Sequence, residues 1–306
     1  MNKKIKSDLM LFLTAFIWGS SFIAQSKGAD VLGPFTFNAF RYTLAVISLL
    51  PVIYFLSSKK KASAVEITEE EKASEKKYLI YGGIATGVAL FIATSLQQYA
   101  MAFTTAAKAG FITTLYVILV PIVGIFLKKK VRPIIWLCAI MGVVGLYLLS
   151  MKPGTFSISH GDFFVLLCAF AYTAHILIID HFSPKTDGVK LSCLQFAVVS
   201  AASFIFMFAT EHLVLADVLT AAVPLLYAGV LSSAVAYTLQ IVAQKDADPT
   251  VASLILSLES VFAAICGAII LGEALSMREA AGCAIMFIAI IIAQLPSKEE
   301  RLADHH

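Results

Sequence analysis

The sequence predicts an all-α membrane protein with ten transmembrane helices, arranged as two inverted five-helix repeats around a central cavity. Three features of the chain lead to this fold class: its composition, its recurring apolar runs and the placement of its charges. Hydrophobic residues make up 59% of the 306 residues and charged residues 14%, with a mean hydropathy of +0.86. A soluble domain does not need so many apolar side chains, because its surface must be hydrated.

Ten apolar segments, numbered in chain order, are each long enough to cross a hydrocarbon layer of about 30 Å as a helix. Most connections between them are short, which makes neighbouring helices antiparallel. The one long polar connection, 57–77, contains runs of Lys and Glu and predicts a cytosolic loop or a short surface helix. The first segment has no small-residue cleavage site after it and is expected to be an uncleaved helix. The segments are 8–27, 33–57, 78–103, 105–127, 132–151, 161–181, 189–209, 219–242, 249–272 and 277–295.

The positions of Lys and Arg orient these segments in the membrane. With the amino terminus placed inside, all but five of the 23 Lys and Arg residues fall at inside ends and loops. Lys27, Lys152 and Arg278 fall outside, and Arg41 and Lys108 lie within segments. This bias follows the positive-inside rule. It predicts a multi-pass protein of the cell (cytoplasmic) membrane with both termini in the cytoplasm.

The two halves of the chain, 1–152 and 153–306, repeat each other weakly but in order. LQQYA from Leu96 aligns with LQIVA from Leu239, which places Tyr116 opposite Glu259. Because each half holds five segments, an odd number, the second copy is inserted upside down relative to the first. Inverted repeats are typical of transporters, with a site at the repeat interface near the bilayer midplane. At one constant offset, Asp8 aligns with Asp162, Trp18 with Tyr172, and Arg41 with Gln195.

Segment nine carries one charged residue, Glu259, roughly 15 Å from its start at Pro249 and therefore near the middle of the bilayer. A carboxylate at that depth is costly unless it faces a partner or water. Ser253 and Ser257 lie beside it, and we expect them to line the same wet space. Glu259 is expected to bind a cationic part of a substrate or to carry a coupling proton. The alternative is a neutral or paired Glu that only fixes helix packing.

Other charged and amide residues within the segments are further candidates. Arg41 is assigned mainly a structural role, with bidentate binding of a substrate carboxylate as the alternative. Lys108, near the outer end of segment four, either snorkels to the interface or attracts an anion to the mouth of the cavity. Gln97, Gln98 and Gln240 suit a zwitterionic or polar ligand, since amides donate and accept hydrogen bonds. They suit hydrogen bonds between helices equally well.

Four aromatic residues lie inside the segments. Trp18 is too deep for an interfacial aromatic belt, and it either forms a cavity wall, stacks on a cation or packs on neighbouring helices. Tyr116 and Tyr237 are candidates for the same wall. His175 is either a proton carrier or a packing residue.

Several classes of protein are disfavoured by what the sequence does not contain. The five cysteines lie singly in apolar runs without a neighbouring His, which argues against a metal site or a disulfide framework. There is no Walker A motif for ATP and no Ser–His arrangement typical of an intramembrane protease. We therefore predict no enzymatic activity, no cofactor and no bound metal. The net charge of +3 is too small to indicate a nucleic-acid partner.

A series of short motifs recurs in a fixed order over nearly the whole chain. They are WGSSF at 18–22, the run GPFTFNAFRY ending at Tyr42, AAKAGFITTLYVILVP at 106–121, AYTLQ at 236–240, LESVFAA at 258–264 and LGE at 271–273. In order and spacing they resemble the EamA-type permeases of the drug/metabolite transporter (DMT) superfamily, which have two EamA repeats. The resemblance implies a cavity lined mainly by segments one, three, four, six, eight and nine. Family members often have Pro where this chain has Ser260, so segment nine is expected to bend less.

Together these features predict a secondary active transporter that moves small polar organic solutes by alternating access, with proton coupling as an option. Export of amino acids or related metabolites is the leading hypothesis, because amides and charges of both signs suit a zwitterion. A multidrug or cationic-compound exporter is the alternative within transport. A non-transporting membrane receptor or scaffold is the alternative from another class. The expected partners are a small-molecule substrate and the lipid bilayer, and a homodimer is left open.

Overall fold

A computed structural model describes residues 3–62, 68–104, 106–129, 131–150, 160–271 and 276–295. Within these ranges the chain forms helices joined by short connections, without a strand, which confirms the all-α prediction. The elements are α1 Lys3–Ala29, α2 Pro34–Ala62, α3 Glu69–Ala100, α4 Ala106–Thr113, α5 Tyr116–Phe126, α6 Pro133–Ser150, α7 His160–Phe182, α8 Gly188–Thr210, α9 Leu215–Thr220, α10 Ala222–Leu226, a π-helical segment Tyr227–Tyr237, α11 Thr238–Gln244, α12 Pro249–Leu256, α13 Glu259–Leu271 and α14 Met277–Gln294.

Eight stretches of the described chain are long and apolar enough to cross a membrane. They correspond to predicted segments one to four and six to nine. Segments five and ten correspond to α6 and α14, which are each 18 residues long. Large apolar side chains cover the outside of the helices, for example Phe126 at 81% and Phe208 at 72% exposure. The protein is therefore a multi-pass membrane protein whose outer surface suits lipid tails, while the count of ten spans stays a prediction.

The polar connection predicted at 57–77 is largely helical where the structure describes it. α2 continues to Ala62 and α3 begins at Glu69. Thr68 caps α3, since its hydroxyl accepts from the Glu71 N–H at 3.2 Å and the Glu71 carboxylate accepts from the Thr68 N–H at 3.0 Å. This capping box and the acidic first turn stabilise the helix start well before the apolar run. Residues 63–67 lie outside the described ranges.

Segments four and nine are each interrupted, and the two interruptions lie at equivalent positions. α4 ends at Thr113 and α5 begins at Tyr116, while α12 ends at Leu256 and α13 begins at Glu259. The sequence repeat aligns Tyr116 with Glu259, and these two residues are the first after the two interruptions. The expectation that segment nine bends less because it lacks Pro is therefore wrong. Glu259 and Tyr116 become the first residues of new helices at the centre of the bundle.

A hydroxyl group bonds back to the preceding turn at each interruption. The Ser257 hydroxyl donates to the Leu254 carbonyl at 2.7 Å, and the following N–H, of Leu258, bonds to Ile255 instead of Leu254. In the first half, Thr114 donates to the Phe111 carbonyl at 3.0 Å, and the next N–H likewise shifts to a tighter turn. Ser and Thr that bond back to their own helix often bend it, and such a residue lies at each interruption.

Segment eight differs from its counterpart, segment three, in its helix type. Residues Tyr227–Tyr237 form 11 residues of π-helix, whereas α3 is a continuous α-helix. Two side chains of α1 donate to backbone carbonyls of this π-helical segment: Thr14 to Ala236 at 3.1 Å and Trp18 to Ser232 at 3.1 Å. π-helical turns are rare and occur often at functional sites. The wider helix brings its serines and Tyr237 to the centre of the bundle.

Helix contacts in one half are matched by contacts in the other. α3 packs against α7 and α8, and the π-helical segment, its counterpart, packs against α1 and α2. α1 packs against α13 as α7 packs against α5. The pairs α2 with α8 and α6 with α14 join equivalent helices of the two halves. Each of these helix contacts therefore has an equivalent when the two halves of the chain are interchanged. The space between the two halves lies at the centre of the bundle.

Polar contacts also join the two halves near the helix ends. Glu211, after α8, accepts from the N–H groups of Phe35 and Thr36 at 2.9 and 2.8 Å and from the Thr36 hydroxyl at 2.6 Å. These N–H groups belong to the first turn of α2 and have no partner within their own helix. Lys129, after α5, forms a salt bridge with Asp180 near the end of α7. Each contact links a residue of the first half to one of the second.

Candidate functional site

A buried cavity lies between the two halves, at the level of the interruptions before α5 and α13. The volume that the centre of a water molecule can occupy in it is about 20 Å³. Predicted segments one, three, four, six, eight and nine all contribute to its wall, and segment two adds Arg41. No lining residue is more than 9% exposed, so this conformation is closed and admits water but not an organic solute. The wall consists of Trp18, Ser21, Phe22, Gln25, Arg41, Gln97, Thr113, Tyr116, Tyr172, Ile176, Ser232, Tyr237, Gln240, Leu256 and Glu259.

Glu259 supplies the carboxyl group of the cavity. It is 5% exposed, and the Tyr116 hydroxyl donates to its Oε1 at 3.1 Å. Within the described part of the chain, no Lys, Arg or His nitrogen comes within salt-bridge distance of it. It is the first residue of α13, and backbone N–H groups of that first turn, those of Ser260 and Phe262, bond to carbonyls before the helix start. The two residues that the sequence repeat aligned thus contact each other at the centre.

Arg41 supplies the positive charge of the cavity and is 2% exposed. Its Nε donates to the Ser233 hydroxyl at 2.8 Å, its Nη2 to the Ser232 hydroxyl at 3.1 Å and its Nη1 to the Gln25 side-chain oxygen at 3.2 Å. These bonds tie α2 to α1 and to the π-helical segment, as a structural role requires. Arg41 also belongs to the cavity wall. A residue that only joins helices does not need to face the cavity, so this position also suits ligand binding.

A chain of polar side chains crosses the cavity between α3 and the π-helical segment. Gln97 donates to the Thr113 hydroxyl at 3.2 Å and accepts from the Tyr172 hydroxyl at 3.3 Å. The Tyr172 and Tyr237 hydroxyls lie 3.1 Å apart. Gln240 is buried, and its side-chain oxygen has no hydrogen-bond partner among the described residues. The side-chain amides of Gln97 and Gln240 both lie in the cavity wall. The oxygen of Gln240 is available to accept a hydrogen bond from a ligand.

Trp18 forms an aromatic wall of the cavity. Its indole nitrogen donates to the Ser232 carbonyl at 3.1 Å, and its ring lies 4.5 Å from that of Tyr237 at an interplanar angle of 55°. A buried indole usually needs such a polar partner. Trp18 therefore both lines the cavity and packs against a neighbouring helix, as two of the three interpretations of the sequence expected.

Two of the predicted polar residues lie behind the cavity wall. Gln98 donates to the Gln25 backbone carbonyl at 3.2 Å and so supports a lining residue from outside. His175 has its Nε2 3.0 Å from the Gln195 side-chain oxygen and packs against the Tyr237 ring. Neither side chain is part of the lining. The packing interpretation of His175 is the one that this geometry favours.

The serines of segment nine are also not part of the cavity wall. Ser253 and Ser257 are fully buried and donate to carbonyls of their own helix, those of Thr250 and Leu254. A hydroxyl can satisfy itself on the backbone in this way, so these two serines do not need to face water. The side chain of Lys108 lies outside the described part of the structure.

Eight lining residues were not among the sequence candidates. Two signals pointed to some of them: Tyr172 aligns with Trp18 across the repeats, and Ser21, Phe22 and Thr113 lie in the motifs at 18–22 and 106–121. The remaining ones carry no signal in the sequence, because Ser, Gln, Ile and Leu at helical spacing also occur in ordinary helix packing. The eight are Ser21, Phe22, Gln25, Thr113, Tyr172, Ile176, Ser232 and Leu256.

The groups in the wall are suited to non-covalent recognition. A guanidinium, a carboxyl, amides, hydroxyls and aromatic faces converge on one enclosed space, which is the usual make-up of a small-molecule site. In the part of the chain that the structure describes, no group of three or more His, Cys, Asp or Glu is placed to hold a metal.

Comparisons with known proteins place the fold and the repeats in a family. A model of the EamA-like transporter family matches residues 5–151 and 159–294. An uncharacterized transporter of Archaeoglobus fulgidus is 30% identical over 300 residues, which is 96% of this chain and 87% of the relative. An uncharacterized transporter of Clostridium kluyveri is 23% identical over 306 residues, with 96% and 94% covered.

A solved crystal structure has the same fold. It superposes with a TM-score of 0.77 at 18% sequence identity, over 97% of this chain and 98% of the other. The two family matches, one in each half of the chain, together with the archaeal relative, show that this protein belongs to the EamA-like transporter family.

Proposed function

We propose that this protein is a secondary active transporter of small polar organic solutes, with exported amino acids or related metabolites as the leading class. The observation that carries the proposal is the buried cavity between two related halves, which holds both Arg41 and Glu259. Each buried charge needs a partner once water is removed. A solute with charges of both signs would supply both partners. Membership of a transporter family supports movement of that solute across the membrane as the role of the cavity.

The proposed architecture is ten helices in two inverted repeats, 1–152 and 153–306, in the cytoplasmic membrane with both termini inside. The matched interruptions before Tyr116 and Glu259 and the exchange of helix contacts between halves support two equivalent repeats. The distribution of Lys and Arg supports the orientation. In this arrangement the Lys129–Asp180 salt bridge lies at the cytoplasmic end.

The closed cavity supports alternating access as the proposed mechanism. The closed cavity has room for water but not for an organic solute. In the proposed mechanism the two halves therefore separate first at one end, to admit the solute, and then at the other, to release it. The contacts between halves near the helix ends, around Glu211 and between Lys129 and Asp180, are the ones that such movements would break and remake.

Removing the Lys129–Asp180 salt bridge is expected to favour conformers that are open at that end. Its side chains are 35% and 17% exposed, so solvent screening limits its contribution to about 1 kcal/mol, roughly a fivefold change in the ratio of conformers. We expect Lys129→Asp and Asp180→Lys each to alter the transport rate by about that factor. The double exchange, Lys129→Asp with Asp180→Lys, is expected to restore it, and a rate unchanged in all three variants would contradict a gating role.

Transport itself is tested with purified protein in liposomes. We expect labelled amino acids to enter at rates above those of protein-free liposomes, to be competed by unlabelled solute, and to respond to an imposed pH gradient if protons couple. A panel that includes lipophilic quaternary ammonium compounds decides between this proposal and a cationic-compound exporter, which Glu259 and the aromatic wall would also suit. Absence of movement of every panel member would favour a receptor or scaffold.

A further inference from the structure

Arg41 is a buried positive charge whose partners in the described structure are all neutral. They are two serine hydroxyls, one amide oxygen and the ring of Tyr42, whose centroid lies 5.1 Å from the guanidinium carbon. No Asp or Glu oxygen of the described residues lies within 4.0 Å of the guanidinium. A guanidinium stays charged in proteins. A charge in the middle of a membrane protein is costly unless an opposite charge compensates it. The geometry therefore leaves room for an anion.

Two of its N–H donors remain available for that anion. A guanidinium has five N–H groups, and Ser233, Ser232 and Gln25 each take one, from Nε, Nη2 and Nη1 respectively. One N–H on each terminal nitrogen thus has no partner among the described residues. Since Arg41 belongs to the cavity wall, an anion in the cavity can reach the terminal nitrogens. Paired N–H groups of this kind match the two oxygens of a carboxylate.

The equivalent position in the second half shows that the architecture does not need a charge there. Gln195 aligns with Arg41 at the constant offset of the repeats, is fully buried and bonds to His175 at 3.0 Å. A neutral amide is thus sufficient to join helices at this place in the fold. A purely structural role gives no reason for a guanidinium in one half, whereas a ligand does, because it approaches only from the cavity side.

We infer that Arg41 recognises the transported solute by binding a carboxylate group, while Ser232, Ser233 and Gln25 hold the guanidinium in position. This inference rests on the transport function proposed above. A carboxylate suits the site better than a phosphate, because Glu259 shares the cavity and a second negative charge on the ligand would be repelled. Glu259 remains for a cationic group at the other end of the solute. The class of ligand is therefore an amino-carboxylate zwitterion.

Trp18 provides a direct reporter for this contact. Its indole donates to the carbonyl of Ser232, the residue whose hydroxyl accepts from Arg41. The chain has two tryptophans, and the other, Trp136, is half-buried on α6, which contributes nothing to the cavity wall. In a Trp136→Phe background, fluorescence changes on titration thus report from the cavity alone.

The test compares ligands and variants together. In the Trp136→Phe protein, free amino acids are titrated beside their carboxamides and methyl esters, which keep the amino group and side chain but lose the carboxylate. We expect the amino acids to bind roughly 10- to 150-fold more tightly, the range for a hydrogen bond to a charged group. In Arg41→Gln this preference is expected to vanish, so that all three forms bind alike. A merely structural Arg41 predicts instead that the variant weakens all three forms equally.

Two further variants keep the inference testable if Arg41→Gln does not fold. Arg41→Lys retains the charge, and Ser233→Ala retains the guanidinium but removes one of the hydrogen bonds that position it. Both are expected to keep the preference in reduced form. Amides and esters that bind and are transported as well as the parent amino acids overturn the role of Arg41 while leaving transport intact. A folded protein that transports no member of the panel overturns the proposed function as well.

Discussion

Replacing Glu259 by Gln is expected to reduce pH-driven solute uptake into liposomes by roughly 10- to 150-fold, the range for the loss of a hydrogen bond to a charged group. Glu259 is buried at the start of α13 in the cavity wall, with the Tyr116 hydroxyl as its partner. The amide keeps the size and the hydrogen-bonding capacity but neither the negative charge nor the ability to release a proton. Uptake unchanged in the variant would remove Glu259 from the mechanism.

Exchange of labelled for unlabelled solute, without a pH gradient, separates the two roles of Glu259. If the carboxylate binds a cationic part of the solute, Glu259→Gln loses exchange together with uptake. If it carries the coupling proton, exchange persists while acceleration by the gradient is lost. Tyr116→Phe removes the hydrogen bond and keeps the carboxyl, so its effect should be smaller. Glu70→Gln, at an exposed position before the apolar part of α3, is the matched control and should behave as wild type.

Replacing Gly19 by Ala is expected to lower the free energy of unfolding by about 1–3 kcal/mol, as overpacking in a close-packed contact does. A Cβ at this position would lie 2.5 Å from the Glu259 carbonyl oxygen and 2.6 Å from the Phe262 Cβ. α1 and α13 pack against each other at this level, and the backbone of α13 would have to shift. Because Glu259 begins that helix, uptake should fall together with the thermal unfolding temperature in detergent.

Gly142→Ala is the matched control for this prediction. A Cβ there meets the Leu254 Cδ1 at 3.5 Å, an ordinary van der Waals distance, and Ala is the better helix former. We expect its stability to equal or exceed that of the wild type. Equal effects of the two substitutions would show that the close approach of α1 and α13 does not limit stability.

Much of the architecture could be predicted because membrane spans are set by simple physical requirements. Apolar length decides where a helix can cross the hydrocarbon layer, and the described helices agree with the predicted segments. The Tyr116–Glu259 alignment also located the centre of the bundle, since equivalent residues of two related halves meet there. In contrast, segment nine was expected to be less bent because it lacks Pro, and no residue type in the sequence marked the interruption before Glu259.

The candidate site was predicted in part. Trp18, Gln97, Tyr116, Tyr237, Gln240 and Glu259 lie in the wall, as does Arg41, whose place there was only the alternative interpretation. Ser253 and Ser257 lie on the same stretch as Glu259 but satisfy their hydroxyls on their own backbone. Periodicity cannot distinguish a serine that faces a cavity from one that bonds back to its helix, because both occupy polar positions on the same face.

The sequence by itself determined the class of protein, the position of its spans and the existence of two related halves, because hydrophobic length, charge placement and repetition are properties of the chain alone. Only the tertiary structure decided which polar side chains converge. Glu259, which follows the interruption of segment nine, and Ser232, in the π-helical segment, both line the cavity together with Arg41. That convergence depends on how helices that are far apart in the chain pack together. The type of a residue does not reveal which distant residues it will contact.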